Sequence, residues 1–229
     1  MQESLPRLAK GRHKIAGHEA CVMELVSFLN EEEWSDHPRC VQPVLAAAAR
    51  AVNDRVGDQG RQRLVDLAPR LAGTAKADWL VGARLVVLCT EAALKSPWAT
   101  AGRPAGSATP GTGEAHLTPH RTPHRTPHRM PAEVWQELTG ARRTALYLLA
   151  RQSAAERARC PWQVRATIWL LERTGLLKRV YPFDAALQVA FAIAQIGSTP
   201  DAEPELLVLL DACVQVCVEA CVACAEERR

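Results

Sequence analysis

The sequence predicts an all-α protein, a bundle of about eight helices interrupted by a long disordered linker. One reason is composition. Apolar residues make up 48% of the chain but aromatics only 5%, and Ala and Leu dominate, which favours helix over strand. Apolar positions also recur at three- and four-residue spacing wherever a run is long enough to judge, and no alternating strand pattern competes with that period.

Residues 1–16 read as a basic, poorly ordered arm. The first helix is expected from Gly17 to Leu29, with Cys21, Val22, Leu25, Phe28 and Leu29 on helical spacing. Asn30 and the acidic run Glu31–Glu33 end it. Trp34 falls in a turn, and Asp36 stands before Pro38 as a candidate cap. Pro43 opens a second helix with Val44, Ala48 and Val52 on one stripe. A short third helix carries Leu64, Leu67 and Leu71, limited by Pro69. Gly73 and Thr74 are a stop followed by a start. The fourth helix, from Ala75 to Lys95, is apolar nearly all round and should be central to this half.

Residues 96–131 form the expected linker, rich in Pro, Gly, Thr and His. Thr-Pro-His-Arg occurs three times from Thr118 to Arg129, and proline at every fourth position forbids a helix. Helices resume from Pro131 to Arg157, from Pro161 to Gly175, from Phe183 to Ile196, and from Pro204 towards Glu227. The organisation is therefore a helical module over 1–95, the linker over 96–131, and a second helical module over 132–229. The two modules should pack together, since each alone has a thin core.

The formal net charge of +3 resides in the linker, where Arg103, Arg121, Arg125 and Arg129 face only Glu114. The helical modules are balanced, which argues against a nucleic-acid binder. No apolar leader opens the chain, so a cytoplasmic location is expected. The eight cysteines are then expected as free thiols. No window is both uncharged and apolar over the length of a membrane span, so no membrane association is expected.

Two His-x-x-Cys pairs, His18/Cys21 and His37/Cys40, bracket the first helix. On a helix, residues three apart share a face, and four N or S ligands suit tetrahedral zinc. The pairs are thus a candidate zinc site, although their order is not that of a standard finger. The simpler reading makes Cys21 a small core residue and His37 a surface turn residue. The same stretch, HEACVMELVSFL…EWSDHPRCVQPVLAAAARAVNDRV…LAPRLAGT, resembles a family of helical proteins found in actinobacteria and their phages. The resemblance spans residues 17–74 and implies a recurring helical module. It brings no activity, cofactor or site residue with it.

Near the C-terminus, Cys213, Cys217, Cys221 and Cys224 fall on one helix face. Such a thiol row suits a soft ion such as Cu(I) or zinc, or plain core packing. One helix alone cannot bring all four to one ion, since each turn rises about 5.4 Å. His116, His120, His124 and His128 in the repeat could ligate a metal or simply be solvated spacer. The leading functional expectation is a non-catalytic helical interaction or regulatory protein with an unknown protein partner, zinc-stabilised at His18, Cys21, His37 and Cys40, with a homo-oligomer compatible. The rivals are an enzyme whose pocket lies near His18, Glu24, Asp36 and His37, and thiol-based Cu or Zn handling by the last helix.

Overall fold

The computed structural model describes residues 5–13, 18–96, 130–150, 161–199 and 201–226. Two short strands come first, β1 (Arg7–Leu8) and β2 (Glu19–Ala20). The helices of the first half are α1 (Val22–Leu29), α2 (Pro43–Asn53), α3 (Asp58–Arg63), α4 (Ala68–Leu71) and α5 (Val81–Lys95). Those of the second half are α6 (Ala132–Leu149), α7 (Trp162–Arg173), α8 (Leu177–Ile196) and α9 (Glu203–Glu226). Short 3-10 turns at Leu64–Leu67 and Thr74–Lys76 link α3 to α4 and lead towards α5. The expected linker lies outside the described residues, apart from Ser96, Met130 and Pro131, and so does the end of the helix expected to reach Arg157.

The N-terminal arm departs from expectation. Leu8 is an apolar side chain at 1% exposure, and its backbone is fully paired. β1 runs parallel to β2 with Leu8 opposite Ala20. Gln62 then takes the other edge: Leu8 N donates to Gln62 Oε1 at 3.2 Å, and Gln62 Nε2 donates to Leu8 O at 2.8 Å. A buried chain segment must satisfy its amides, and here one side chain from α3 does so. The first helix consequently starts at Val22 rather than Gly17, because His18–Ala20 are spent on β2.

The second helix begins at Pro43 as expected, but its cap is Gln42. The Gln42 carboxamide oxygen accepts from Val44 N at 2.7 Å and Leu45 N at 2.9 Å, so Asp36 is not the cap. Thr74 fixes the approach to α5: its hydroxyl accepts from Gln42 N at 3.1 Å and donates to Leu71 O at 2.7 Å. Gly73 before it sits at φ 81°, which only glycine adopts freely. Beyond Thr74 the expected single helix from Ala75 is divided. A 3-10 turn closes at Lys76, and α5 proper starts at Val81.

α5 is central, packed between α6 and α8; α8 also lies along α2, and α9 crosses both α2 and α5. The two halves therefore share one core. Gly82 permits the closest approach: a β-carbon there would stand 3.1 Å from Val44 Cγ2 and 3.6 Å from Ala185 Cβ. At the other end of this interface Glu203 accepts from Gly57 N at 2.7 Å. α8 begins six residues earlier than expected and runs through Pro182. That proline withholds one N–H from the helix ladder, and buried Leu177, Tyr181 and Ala185 hold the turn in place by their contacts on the core side. Among the described residues α9 is the one helix long and apolar enough to cross a membrane by length and composition. Its apolar run carries Asp211 and Glu219, so it is not the uncharged window that the sequence was searched for. Leu206, Leu210, Cys213, Val214 and Cys217 of α9 are nevertheless buried in the shared core.

Candidate functional site

The four expected zinc ligands follow from the extended start of the chain. His18 lies in a bend just before β2 and is exposed, and its carbonyl accepts from Arg7 N at 2.8 Å. Cys21 is the N-cap of α1, its sulfur accepting from Glu24 N at 3.4 Å. The argument that His18 and Cys21 share a helix face thus fails, because no helix spans them. His37 is exposed and its Nδ1 meets Asp36 Oδ1 at 2.8 Å. Cys40 is half-buried, and its backbone N–H donates to Glu32 Oε1 at 2.9 Å. Among the described residues no three His, Cys, Asp or Glu side chains gather to hold an ion. The structure does not bring the four ligands together.

What the stretch builds instead is a knot around Glu24. This carboxylate is fully buried and accepts three hydrogen bonds: from His13 N at 2.6 Å, from Cys21 N at 2.7 Å and from His13 Nδ1 at 2.9 Å. A carboxylate can only accept, so His13 presents its Nδ1–H to it. Trp34 completes the knot by donating its Nε1–H to His13 O at 2.8 Å. Cys21 and Glu24 form a capping box, the sulfur taking the place a Ser or Thr hydroxyl usually holds. The sequence reading missed His13 altogether. The available signal was the Cys-x-x-Glu spacing before an apolar run.

The ionisable residues proposed for an enzyme pocket fall into two separate sets. Glu24 pairs with His13, and Asp36 pairs with His37 and with Arg12 at 3.4 Å. Arg50 donates to the Asp36 carbonyl at 2.7 Å, and burial lowers the pKa of its guanidinium. Burial also pushes the Cys21 thiol up to about 12, so at neutral pH it is a protonated packing group and no nucleophile. Asn53 extends the same logic. Its Oδ1 accepts from Val22 N at 3.3 Å, and its Nδ2 donates to Ala9 O at 2.9 Å. Glu24 through His13, Asp36 through Arg12 and Asn53 through Ala9 tie the arm to α1, the turn after it and α2.

The second half looks different. α7 buries only Ile168, and Trp162, Trp169 and Leu170 stand exposed on its outer side. Arg173 lies over the Trp169 ring at 5.4 Å from its centroid. On and before α8, Leu176, Val180, Phe183 and Leu187 follow the i, i+4, i+7, i+11 spacing of one stripe. All four are exposed, Phe183 to 77% and Leu187 to 73%. The opposite face of α8 carries Tyr181, Ala185, Val189 and Ile193 in the core. The helix is thus apolar on two faces with only one covered.

Beside this stripe, α6 and α8 enclose a cleft of about 560 Å³ lined by Glu137, Gly140, Thr144, Asp184, Leu187 and Phe191, among others. Gly140 leaves room in its floor, with nothing within 4 Å of where a β-carbon would stand. Gln188 bridges the cleft to the stripe. Its Nε2 donates to Asp184 Oδ2 at 2.6 Å, while its buried Oε1 has no partner. Burial raises the Asp184 pKa. Lys178 and Arg179 are exposed beside the N-terminal end of the stripe. Comparison with protein-family models, with curated proteins and with solved structures returned no match.

Proposed function

We propose that the chain is a non-catalytic helical interaction module, and that its binding surface is the uncovered apolar face of α7 and α8. The single observation that carries this reading is the Leu176–Val180–Phe183–Leu187 stripe, exposed along its whole length on a helix whose other face is core. A helix apolar on both sides is normally buried on both, and large exposed apolar patches mark binding surfaces. Three turns of stripe, about 16 Å at 1.5 Å per residue, match the reach of a partner helix laid in a groove.

The occupant that fits is an amphipathic helix of another protein, acidic along one edge. Lys178 and Arg179 flank one end of the stripe, and Arg165 and Arg173 accompany the Trp residues of α7, so the partner's edge needs negative charge. The cleft past Leu187 favours a protein over a flat lipid surface, because a concave pocket receives a side chain. Exposed Trp and Arg are the residue types that anchor such contacts.

Tryptophan emission of the full chain, titrated with a synthetic Leu/Glu amphipathic helix, tests the reading. Saturable change is expected, and Leu187→Glu or Phe183→Glu should abolish it without altering the melting temperature. No response to the peptide would overturn the reading. So would a response confined to anionic phosphatidylserine vesicles, which would make the face a membrane contact. A dimer in sedimentation velocity that Leu187→Glu dissolves would also overturn it, making the partner a second copy.

A further inference from the structure

α9 carries its thiols as a graded row, and α5 meets that row at its buried end. Cys89 Sγ of α5 stands 3.7 Å from Cys213 Sγ of α9, and both side chains are fully buried. Cys217, one turn on, is buried as well, while Cys221 and Cys224 are half-exposed. Cys221 Sγ lies at the surface against the Thr74 carbonyl at 3.7 Å. Successive thiols in the row rise by about 6 Å or less, four residues at 1.5 Å each. The row therefore leads from solvent to a dry pair of sulfurs in the interface between two core helices.

We infer that Cys89 and Cys213 are a binding site for a soft monovalent cation, Cu(I), which reaches them along Cys224, Cys221 and Cys217. The donor set selects the ion. Two sulfurs with no oxygen ligand exclude the hard cations, which require carboxylates and carbonyls. Zinc closes its structural sites with four ligands, and among the described residues no group of three or more His, Cys, Asp or Glu is placed to hold an ion. Soft thiolate ligands favour Cu(I), which is content with few of them. Metal–thiolate bonds are about 2.3 Å, so an ion in line between two sulfurs needs them about 4.6 Å apart. The observed 3.7 Å accepts a bent arrangement as it stands, or a linear one after the sulfurs part by less than about 1 Å, within reach of a small rotamer change.

Binding transfers no electrons. Two S–H bonds break, two S–Cu bonds form, and two protons pass to the buffer for each ion taken up. Because two protons leave as each ion binds, uptake strengthens as pH rises.

The test is anaerobic competition between the reduced full chain and bathocuproine disulfonate for Cu(I). The chain is expected to withdraw at least one equivalent from the chelator, with two protons released per ion in weak buffer. Losing a ligand should weaken retention by no less than the about 10–100-fold of a lost outer-shell partner. Cys89→Ala and Cys213→Ala should do so, while Cys21→Ala and Cys40→Ala leave retention unchanged. Copper left wholly with the chelator would overturn the inference, as would equal retention by the Cys89→Ala/Cys213→Ala double variant. Should an alanine variant fail to fold, alkylation of the wild-type chain with mass mapping decides instead. Loaded copper must slow the labelling of Cys89 and Cys213 in the folded chain under sub-denaturing urea, and labelling at the metal-free rate there would overturn the site.

Discussion

The arm with α1 and α2 and the α7–α8 face are built on opposite terms. In the first, a buried or half-buried polar side chain answers the awkward backbone groups: Glu24 for Cys21 and His13, Gln62 for Leu8, Asn53 for Val22 and Ala9. Arg61 is treated likewise, donating from Nε to Asn53 O at 2.9 Å and from Nη2 to Val56 O at 2.8 Å. In the second region large apolar side chains are left bare and a cleft lies open beside them. A buried network left half-satisfied destabilises the fold, so the first region can change little. The second can change without harm to the fold, which is the behaviour of a surface kept for something else.

The sharpest way to break this contrast is Glu24→Ala. Three donors lose their acceptor inside the core, and the loss should be about 3 kcal/mol, read by urea denaturation. A loss near zero would make the knot ornamental. Gly82→Val comes next. The added side chain drives into Val44 and Ala185 where α2, α5 and α8 meet, and about 2 kcal/mol is expected for such overpacking. Gly73→Ala forces a left-handed φ on a residue with a β-carbon, although nothing obstructs that carbon. About 1 kcal/mol is expected, visible as a melting shift of about 2–4 °C.

Smaller still is a charge effect where α5 meets α6. Arg142 Nη2 holds Glu91 Oε1 at 2.7 Å, and this hydrogen bond lowers the Glu91 pKa from its ordinary 4.5. A lowered carboxylate pKa contributes stability above the unfolded-state value, and that contribution is lost as pH falls through the folded one. Arg142→Ala should therefore narrow the gap to wild type as pH drops below about 4.5. At neutral pH the cost should stay under about 1 kcal/mol, since both side chains are about one-third exposed. Asp184 runs the other way. Partial burial raises its pKa, so the cost of its charge falls away as pH drops through that raised value. Least of all is Trp169→Ala, expected within about 0.5 kcal/mol in stability while removing much of the response to the acidic amphipathic peptide. A large melting shift there would mean the Trp face belongs to the core and the contrast is false.

Much of the fold was legible because apolar period and breakers decide helices over long runs. α2 announced itself through Pro43 and its alanine-rich stripe, and α9 through Pro204. The site was less legible, for local reasons. His18 and Cys21 looked like helix neighbours because the apolar period extends back to Cys21. A parallel pairing with residues 7–8, far away in sequence terms for so short a strand, overrode it. The helix expected from Phe183 starts at Leu177 and runs through Pro182, because core contacts from Leu177 and Tyr181 outweigh one missing hydrogen bond. Cys89 could not be assigned to the thiol row, since a contact across 124 residues leaves no local periodic trace. Of the outward stripe only Phe183 and Leu187 fell within the helix expected from Phe183, and period alone does not say which face finds a neighbour.

One arrangement bears on how the molecule is made. α9 follows every other described helix along the chain yet lies across α2 and α5, so Cys89 and its neighbours stay uncovered until residues 203–226 have been synthesised. A nascent chain halted before Glu203 would present sticky helices to the cell's chaperones, and truncations there should yield inclusion bodies where loss of the short arm alone yields a weakened but collapsed product.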